Sequence, residues 1–327
     1  MRRVVGLVLL ALGVFGIVLG LALRFYAYDK LALVPLNQSS ESVSTGEDMT
    51  VFRTSRLEQE DGVSVTATRV VRGNPEAAEA KPDGDVMVWD VGVVVEDSDG
   101  TVLTSSLDHL CLNRHTNEAV RPCSGEGIED NSDDNTIDAD DAVTHTGLSY
   151  KFPFGTEQRE YDYFDNSAKA AFPMRYEATE TIEGVETYKF VQTIPLTKLD
   201  IPEIKLPGDL VDQPDEETVT ASRYYENTRT VWVEPYSGII VKGQEEQKQT
   251  LRGPDGAELL TVFAGTLAFN EETVKNSAAD ASDARSQLRL VRSVGPAVLI
   301  SVGAVLLLVG LVLAMLGNGR SGRRHAQ

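Results

Sequence analysis

The stretch from Val4 to Leu23, VVGLVLLALGVFGIVLGLAL, runs for twenty residues without a charge. A second uncharged stretch, VGPAVLISVGAVLLLVGLVLAML, runs from Val294 to Leu316. A helix of about 20 apolar residues spans the hydrocarbon core of a bilayer, which is roughly 30 Å thick. The sequence therefore predicts two transmembrane helices, with tails at 1–3 and 317–327 on the cytoplasmic side and a domain of residues 24–293 on the other side.

The first apolar stretch also has one feature of a secretory signal peptide, because Met1-Arg2-Arg3 gives it a positively charged start. Its apolar run exceeds the about 7 to 15 residues of a signal-peptide core. The residues that follow, Arg24 to Tyr28, contain no small-x-small cleavage pattern. Together these features favour a retained membrane anchor.

Glycines recur every seven residues in both apolar stretches. Seven residues make nearly two helical turns, so each set lies on one helix face, where another backbone can approach closely. We predict an antiparallel pair of helices packed through these faces, with self-association of either helix as the alternative. The predicted packing positions are Gly6, Gly13, Gly20, Gly303, Gly310 and Gly317.

Basic residues flank the two stretches equally, five on each side, so the positive-inside rule gives no orientation. The chain's two cysteines, Cys111 and Cys123, both lie in the domain and predict a disulfide in an oxidising compartment. We therefore expect a two-pass plasma-membrane protein with an extracytoplasmic domain. The predicted contacts with lipid head groups are Arg24, Lys30, Arg285, Arg289 and Arg292.

Acidic residues dominate the domain, which holds all fifty Asp and Glu against twenty-five Lys and Arg, a net charge of about −25. Such a field repels nucleic acid. The acid is densest in SGEGIEDNSDDNTIDADD, residues 124–141. We interpret this segment as a solvated acidic loop, with calcium binding as the alternative.

The calcium alternative depends on the spacing of oxygen-bearing side chains within that loop. It lacks the glycine that such a loop needs for its turn, because Asn135 stands there, and it ends in aspartate instead of glutamate. The side chains at the ligand positions are those of Asp130, Ser132, Asp134, Thr136, Asp138 and Asp141.

Between Met49 and Phe269, β-rich runs alternate with Gly, Pro and Asp turns, which predicts a mainly β (α+β) domain. Asp99-Gly100 predicts a hairpin. Residues 194–214 are rich in proline and predicted to be irregular, and residues 271–293 are predicted to be helical. The predicted strands are Asp48–Ser55, Val63–Val71, Asp85–Glu96, Thr101–Ser105, Glu186–Gln192, Arg229–Val233, Ile239–Gln244 and Leu259–Phe269.

Several catalytic motifs are missing from the sequence, which contains no G-x-S-x-G, P-loop or H-E-x-x-H pattern. His109 and His115 could join the two cysteines in a zinc site, but an oxidising compartment favours the disulfide. The aromatic clusters at 161–164 and 224–225 are predicted to be core, with a ligand channel as the alternative. We expect no enzymatic activity, no cofactor and no metal.

Five segments in the middle of the chain carry a family resemblance. They are KFPFGTE at 151–157, YDYFD at 161–165, MRY at 174–176, GVETYKF at 184–190 and TVWVEPYSG at 230–238. In this order, between two terminal apolar helices, they resemble the actinobacterial PorA-like family of envelope proteins. The resemblance covers nearly the whole chain, and the family name implies a porin.

A fainter resemblance is to the CD36 scavenger-receptor family, through Gly184, Tyr188, Lys189 and Phe190 in the same two-helix architecture. That resemblance implies an outer domain with a hydrophobic tunnel for lipids. The chain departs from it in having one cysteine pair and one N-x-S/T sequon, at Asn37.

Three functions remain open on the sequence. Our main prediction is an envelope protein whose outer domain binds or passes a lipid or other hydrophobic ligand, since shelter from water is worth about 0.8 kcal/mol per CH₂ of an acyl chain. The first alternative is a PorA-like pore component, built from oligomers or by insertion of the β domain. The second is a scaffold or adhesion module. The expected partners are the bilayer, a lipid ligand and further copies of the chain.

Overall fold

The computed structural model describes residues 2–130, 137 and 141–318. The chain separates into two units, one formed by its two ends, Met1–Leu33 and Asp283–Gln327, and the other by Val34–Ser282.

The terminal unit is helical. Helix α1 (Arg2–Ala22) and helix α4 (Gly295–Asn318) fall on the two uncharged stretches, and both segments are long and apolar enough to cross a membrane. A π-helical turn (Leu23–Ala27) follows α1 and leads into α2 (Tyr28–Leu31). A second π-helical turn (Leu290–Val294) precedes α4 and follows α3 (Glu271–Arg289), the helix predicted from its composition, which begins in the other unit and enters this one at Asp283.

Residues 34–282 are mainly β, as predicted. Twelve strands lie in the described part of this unit, and all their pairings are antiparallel. They are β1 (Ser39–Arg53), β2 (Glu58–Gly73), β3 (Val86–Asp97), β4 (Val102–Asn113), β5 (Gly127–Asp130), β6 (Tyr161–Asp165), β7 (Ala170–Ile182), β8 (Val185–Lys198), β9 (Ile204–Pro207), β10 (Thr218–Val233), β11 (Ile240–Arg252) and β12 (Glu258–Phe269).

The strands form one sheet in the order β5-β4-β3-β2-β1-β12-β11-β10-β8-β7-β6, with β9 beside β10. Its centre pairs the first strand with the last, where Val51 lies opposite Phe263. The predicted Asp99-Gly100 hairpin is confirmed between β3 and β4, and Gly100 adopts the left-handed φ of +77° that such a turn needs.

Short backbone bridges join the two ends of this sheet. The N–H of Val120 donates to β4 (3.0 Å), and the N–H of Ala119 donates to the carbonyl of Gly147 (2.8 Å). Leu148 then pairs in parallel with β6. Backbone hydrogen bonds therefore run from β4 to β6 through two short segments, and the sheet closes on itself. We call residues 118–120 and 147–148 the seam.

The aromatic clusters belong to the core. Tyr161, Tyr163, Phe164 and Tyr225 are at most 6% exposed, which confirms that prediction, and only Tyr224 is half-buried. The first two pack with Phe152, Met174, Phe190 and Val231 in one apolar cluster.

Four strands were not predicted from the sequence, namely β5, β6, β7 and β9. Strand β7 contains Pro173 and three alanines, which are poor strand formers, yet it is paired on both sides. Strand β9 lies in the stretch predicted to be irregular, and only its pairing with β10 defines it. Tertiary pairing overrides local preference at these strands.

Candidate functional site

The glycine faces of α1 and α4 meet within the terminal unit. A Cβ at Gly13 would lie 2.7 Å from the carbonyl oxygen of Gly303, and a Cβ at Gly303 would lie 2.7 Å from that of Gly13. Gly6 and Gly310 form a second reciprocal pair at 2.9 and 2.8 Å. Gly20 is also buried in the pair, where a Cβ would lie 3.1 Å from the carbonyl oxygen of Pro296. The surroundings of Gly317 lie outside the described residues.

The five predicted head-group cations lie beside the two π-helical turns. Arg24, in the first turn, is exposed, with its guanidinium 5.7 Å from the ring of Phe25. Arg292, in the second turn, donates to the Tyr28 hydroxyl (3.2 Å) and lies 5.0 Å from that ring. The remaining three extend from α2 and α3 and are Lys30, Arg285 and Arg289.

The predicted disulfide between Cys111 and Cys123 is confirmed, with a Cα–Cα distance of 5.6 Å. Because both sulfurs are bonded to each other, neither is a thiolate that could bind zinc, and the alternative of a zinc site is wrong. His109 instead pairs with Asp90 (Nδ1–Oδ1 2.5 Å), which raises the pKa of the imidazole and lowers that of the carboxyl. The fourth candidate, His115, lies 3.5 Å from Asp85.

Most of the proposed calcium ligands fall outside the described residues. Of the six, only Asp130 and Asp141 are described, and the described residues contain no group of three or more His, Cys, Asp or Glu that could hold a metal ion. Asp130 lies 3.7 Å from the amine of Lys169. Burial raises the pKa of Asp130 against the opposing charge of Lys169.

The interior of the closed sheet contains a charged network centred on Arg229 of β10. Its guanidinium donates to Asp165 of β6 (2.9 Å), to Glu245 of β11 (3.0 Å) and to the Gln192 side chain of β8 (2.8 Å). Tyr225 also donates to Asp165 (3.1 Å). Four strands thus contribute side chains to one buried ion cluster, which we call the Arg229 cluster.

Charge pairing outweighs burial in setting the pKa values of Arg229 and Glu245. Burial alone would raise the pKa of Glu245, but the charge and hydrogen bonds of Arg229 outweigh it, and the pKa of Glu245 falls to about 2. Burial likewise acts to lower the pKa of Arg229, yet Glu245 and Asp165 hold it well above its ordinary range. Arg229 and Glu245 are therefore both charged at neutral pH.

Both faces of the sheet carry charge. Opposite the interior, β11 presents Lys242, Glu246 and Lys248 on alternate positions. A transmembrane barrel instead has an apolar outer band, and a lipid tunnel has an apolar lining. The geometry therefore lends no support to the predicted lipid path, since packed aromatic residues and the charged Arg229 cluster lie in the interior.

A polar surface cavity of about 380 Å³ lies at the seam. Its walls include both seam segments and the exposed side chains of Arg159, Glu160 and Asp162. The guanidinium of Arg159 lies 4.0 Å from the ring of Tyr161, which forms part of the floor. This cavity lacks the apolar lining that an acyl chain requires.

The segments that carry the family resemblance come together in the fold. The Lys151 amine donates to the carbonyls of Phe152 (2.9 Å) and Ser237 (2.5 Å), which joins the first motif to the last. Burial lowers the pKa of this amine to about 7, against the opposing charge of Glu234. A Cβ at Gly238 would lie 2.1 Å from the carbonyl oxygen of Phe152. These motif residues therefore act in folding.

Sequence reasoning missed the Arg229 cluster. The signal was present, because Arg229 shares its strand face with Tyr225, Asn227 and Val231, which are all buried. A single arginine among inward-facing core positions requires a buried carboxylate. The sequence does not say which of fifty acidic residues supplies it, because partner strands are unknown at that stage.

The family model described as Porin PorA matches residues 5–312 of the chain, which include most of both apolar helices and the whole sheet. The chain therefore belongs to the Porin PorA family, and the resemblance predicted from its motifs is confirmed. The fainter resemblance to CD36 stays a prediction.

Two curated relatives, both described as Porin PorA, come from Corynebacterium. The protein from Corynebacterium resistens is 30% identical over a 248-residue alignment that covers 56% of this chain and 59% of the relative. The protein from Corynebacterium amycolatum is 25% identical over 380 aligned residues, covering 95% of this chain and 98% of the relative. A solved MaoC domain dehydratase from Chloroflexus aurantiacus, 12% identical over 79% of this chain and 80% of its own, has a TM-score of 0.16, which establishes no shared fold.

Proposed function

We propose that this chain is a cell-envelope membrane protein that forms part of a PorA-type pore. The observation that carries the proposal is the family match, because it extends through both apolar helices and the intervening sheet instead of covering the domain alone. The two relatives described as porins support the same function. The proposal assigns no catalytic step and no cofactor to the chain.

The pore is built from several copies of the helix pair. Two helices cannot enclose a water-filled path, and the charged outer face of β11 disfavours insertion of the sheet, where each midplane Lys or Arg costs about 2–4 kcal/mol. The glycine faces of α1 and α4 already contact each other within one pair and cannot contact another copy. Neighbouring copies therefore meet through larger side chains, such as the exposed Phe15 and Leu308.

The proposed topology is two-pass, with the domain outside the cytoplasm. The disulfide supports this orientation, because such bonds persist in oxidising compartments. Arg24, Phe25 and Tyr26 are exposed in the π-helical turn that follows α1, and aromatic and basic side chains favour the membrane interface. Arg24, Lys30, Arg285, Arg289 and Arg292 are the proposed head-group contacts.

Ion flux across liposomes tests the proposal. The full chain, reconstituted into vesicles that enclose a potassium-sensitive dye, should dissipate a potassium gradient faster than empty vesicles. Gly303→Leu should abolish the flux because it separates the helices, whereas Val302→Leu enlarges an exposed side chain that shares a face with neither Gly303 nor Leu308 and should preserve it.

The alternatives predict different results in the same vesicles. Transfer of a fluorescent fatty acid without potassium flux would support the lipid path. Inserted protein that moves neither solute would support the scaffold function and contradict the pore.

A further inference from the structure

A buried histidine lies at the base of the seam. The side chain of His145 has 0% exposure, and its ring centroid is 4.5 Å from that of Phe164 on β6. Gly147 and Leu148, the second half of the seam, follow two residues later in the chain. His145 therefore lies directly before this half of the seam in the chain.

Two carboxylates hold the imidazole from opposite sides. Nε2 lies 3.0 Å from Oδ1 of Asp108 on β4, and Nδ1 lies 3.0 Å from Oε1 of Glu126, just before β5. The backbone N–H of His145 also donates to the same Glu126 oxygen (2.7 Å). One residue thus ties the seam segment to the β4 edge of the sheet by three contacts.

Most other groups around this site are neutral or bind the carboxylates themselves. The exception is His109 on β4, a titratable group whose pKa is raised chiefly by its hydrogen bond with Asp90 and also by the charge of Asp108. Phe164 brings no charge from β6. Tyr150, on the same segment as His145, and Asn166, after β6, both donate to Oδ2 of Asp108, the carboxylate oxygen that does not face the imidazole. Arg121 lies 3.6 Å from Glu126. His145 is therefore the cation that sits directly between the two carboxylates.

Among the described residues, few backbone hydrogen bonds cross the seam. One backbone hydrogen bond links Ala119 to Gly147, and two link Leu148 to β6. By comparison, the β2–β3 ladder pairs nine residues of each strand. Backbone pairing is therefore sparse at the seam, and the side-chain contacts of His145 and Tyr150 with Asp108 are a large share of what holds this segment to β4.

We propose that His145 is a pH-dependent latch that holds the seam of the closed sheet shut while its imidazole is charged. In the charged state the imidazolium donates a hydrogen bond from Nδ1 to Glu126, and its Nε2 forms an ion pair with Asp108 at 3.0 Å. In the neutral state one nitrogen becomes an acceptor that faces a carboxylate oxygen, which is repulsive. Loss of the proton therefore loosens the segment that carries Gly147 and Leu148.

The direction of the pH effect follows from the folded-state pKa of His145. Burial acts to lower it, but hydrogen bonds and charges from Asp108 and Glu126 outweigh burial, and the pKa is raised above the ordinary value of 6.5. A raised pKa means that the stabilisation is complete below about pH 6.5 and is lost as the pH rises through the folded pKa. The latch is closed in acid and opens toward alkaline pH.

Hydrogen–deuterium exchange of the full-length protein in detergent micelles tests the latch. The readouts are the backbone amides of Ala119, Leu148 and Phe164, each of which donates a seam hydrogen bond. After correction for the intrinsic rate, their exchange should rise by about threefold or more between pH 6 and pH 9. Amides of the β2–β3 ladder should not change over this range.

Three variants separate the latch from general loss of stability. His145→Gln keeps hydrogen-bonding capacity but cannot be protonated, so its seam exchange should not depend on pH. Glu126→Gln removes one carboxylate and should shift the transition to lower pH. Gly147→Ala should open the seam at every pH, because a Cβ there would lie 2.4 Å from the carbonyl oxygen of Asp162.

The proposal is overturned if seam exchange in the wild-type chain follows the β2–β3 amides across the pH range. It is equally overturned if His145→Gln retains the wild-type pH dependence. Should His145→Gln fail to fold, the shift expected of Glu126→Gln decides the question alone, and an unshifted transition contradicts the latch.

Discussion

Gly13 and Gly303 touch backbone to backbone, so that a Cβ on either residue would lie 2.7 Å from the carbonyl oxygen of the other. Reciprocity of this kind means that neither helix can accept a side chain at this point without separating from its partner. Gly6 and Gly310 repeat the arrangement two turns away. The seven-residue glycine spacing in the sequence is thus matched by a close antiparallel contact in the fold.

Gly13→Leu should separate α1 from α4. The new side chain would overlap the backbone of Gly303, and in a membrane no hydrophobic force compensates for lost packing between helices. Disulfide crosslinking of cysteines introduced into α1 and α4 should fall to background in this variant. Ala11→Leu is the matched control, because Ala11 is exposed, and Leu12→Ala should matter little for the same reason. Undiminished crosslinking in Gly13→Leu would show that the pair is not held through this face.

Arg229→Met should destabilise the domain by about 3–5 kcal/mol, because it leaves Asp165 and Glu245 buried without their cation. Chemical denaturation of the full chain in detergent measures this loss. Arg175→Gln removes a comparable ion pair with Glu160 in which both side chains are at least half exposed. The control should therefore cost at most about 1 kcal/mol. Equal losses in the two variants would mean that the Arg229 cluster contributes no more than a surface pair.

Acid should weaken the domain through Glu245. Its folded-state pKa of about 2 lies below the ordinary value of 4.5, so its stabilising contribution is complete above about pH 4.5 and is lost as the pH falls toward 2. The free energy of unfolding should decline over this window in the wild-type chain. Glu245→Gln should show a shallower decline, and an identical slope in both proteins would contradict the assignment.

Replacing both cysteines with serine should cost about 3 kcal/mol in the chain-entropy model for a loop of this size. The loop between Cys111 and Cys123 contains residues 118–120, the first half of the seam. Relative to the wild-type chain, amide exchange in the double variant should therefore accelerate more at Ala119 and Leu148 than in the β2–β3 ladder. If exchange accelerates equally at all these amides, the disulfide stabilises the whole domain and has no particular effect on the seam.

Local sequence patterns predict some features of this structure but not its long-range contacts. The helices α1 and α4 follow from uninterrupted apolarity, and the disulfide follows from a lone cysteine pair, because each signal lies within one short stretch. Closure of the sheet depends on Leu148 meeting β6, and the ion cluster depends on Arg229 meeting Asp165 across 64 residues. Neither contact has a local signal, since each exists only once the order of the strands is known.

The functional prediction shows the same limit. A hydrophobic ligand path required an apolar interior, and inward-facing Arg229 and Glu245 occupy that interior instead. Around Glu245, consecutive residues of β11 are polar, so both faces of the strand carry polar side chains. The sequence therefore could not show which face was enclosed.

The most direct test of the account is the ionic current through a planar lipid bilayer that contains the full chain under a potassium chloride gradient. We predict discrete conductance steps, with a reversal potential displaced toward the equilibrium potential of potassium, because a tethered domain with a net charge of about −25 enriches cations. Absence of current above that of the bare bilayer, with insertion verified by protease protection of the two helices, would contradict the central claim.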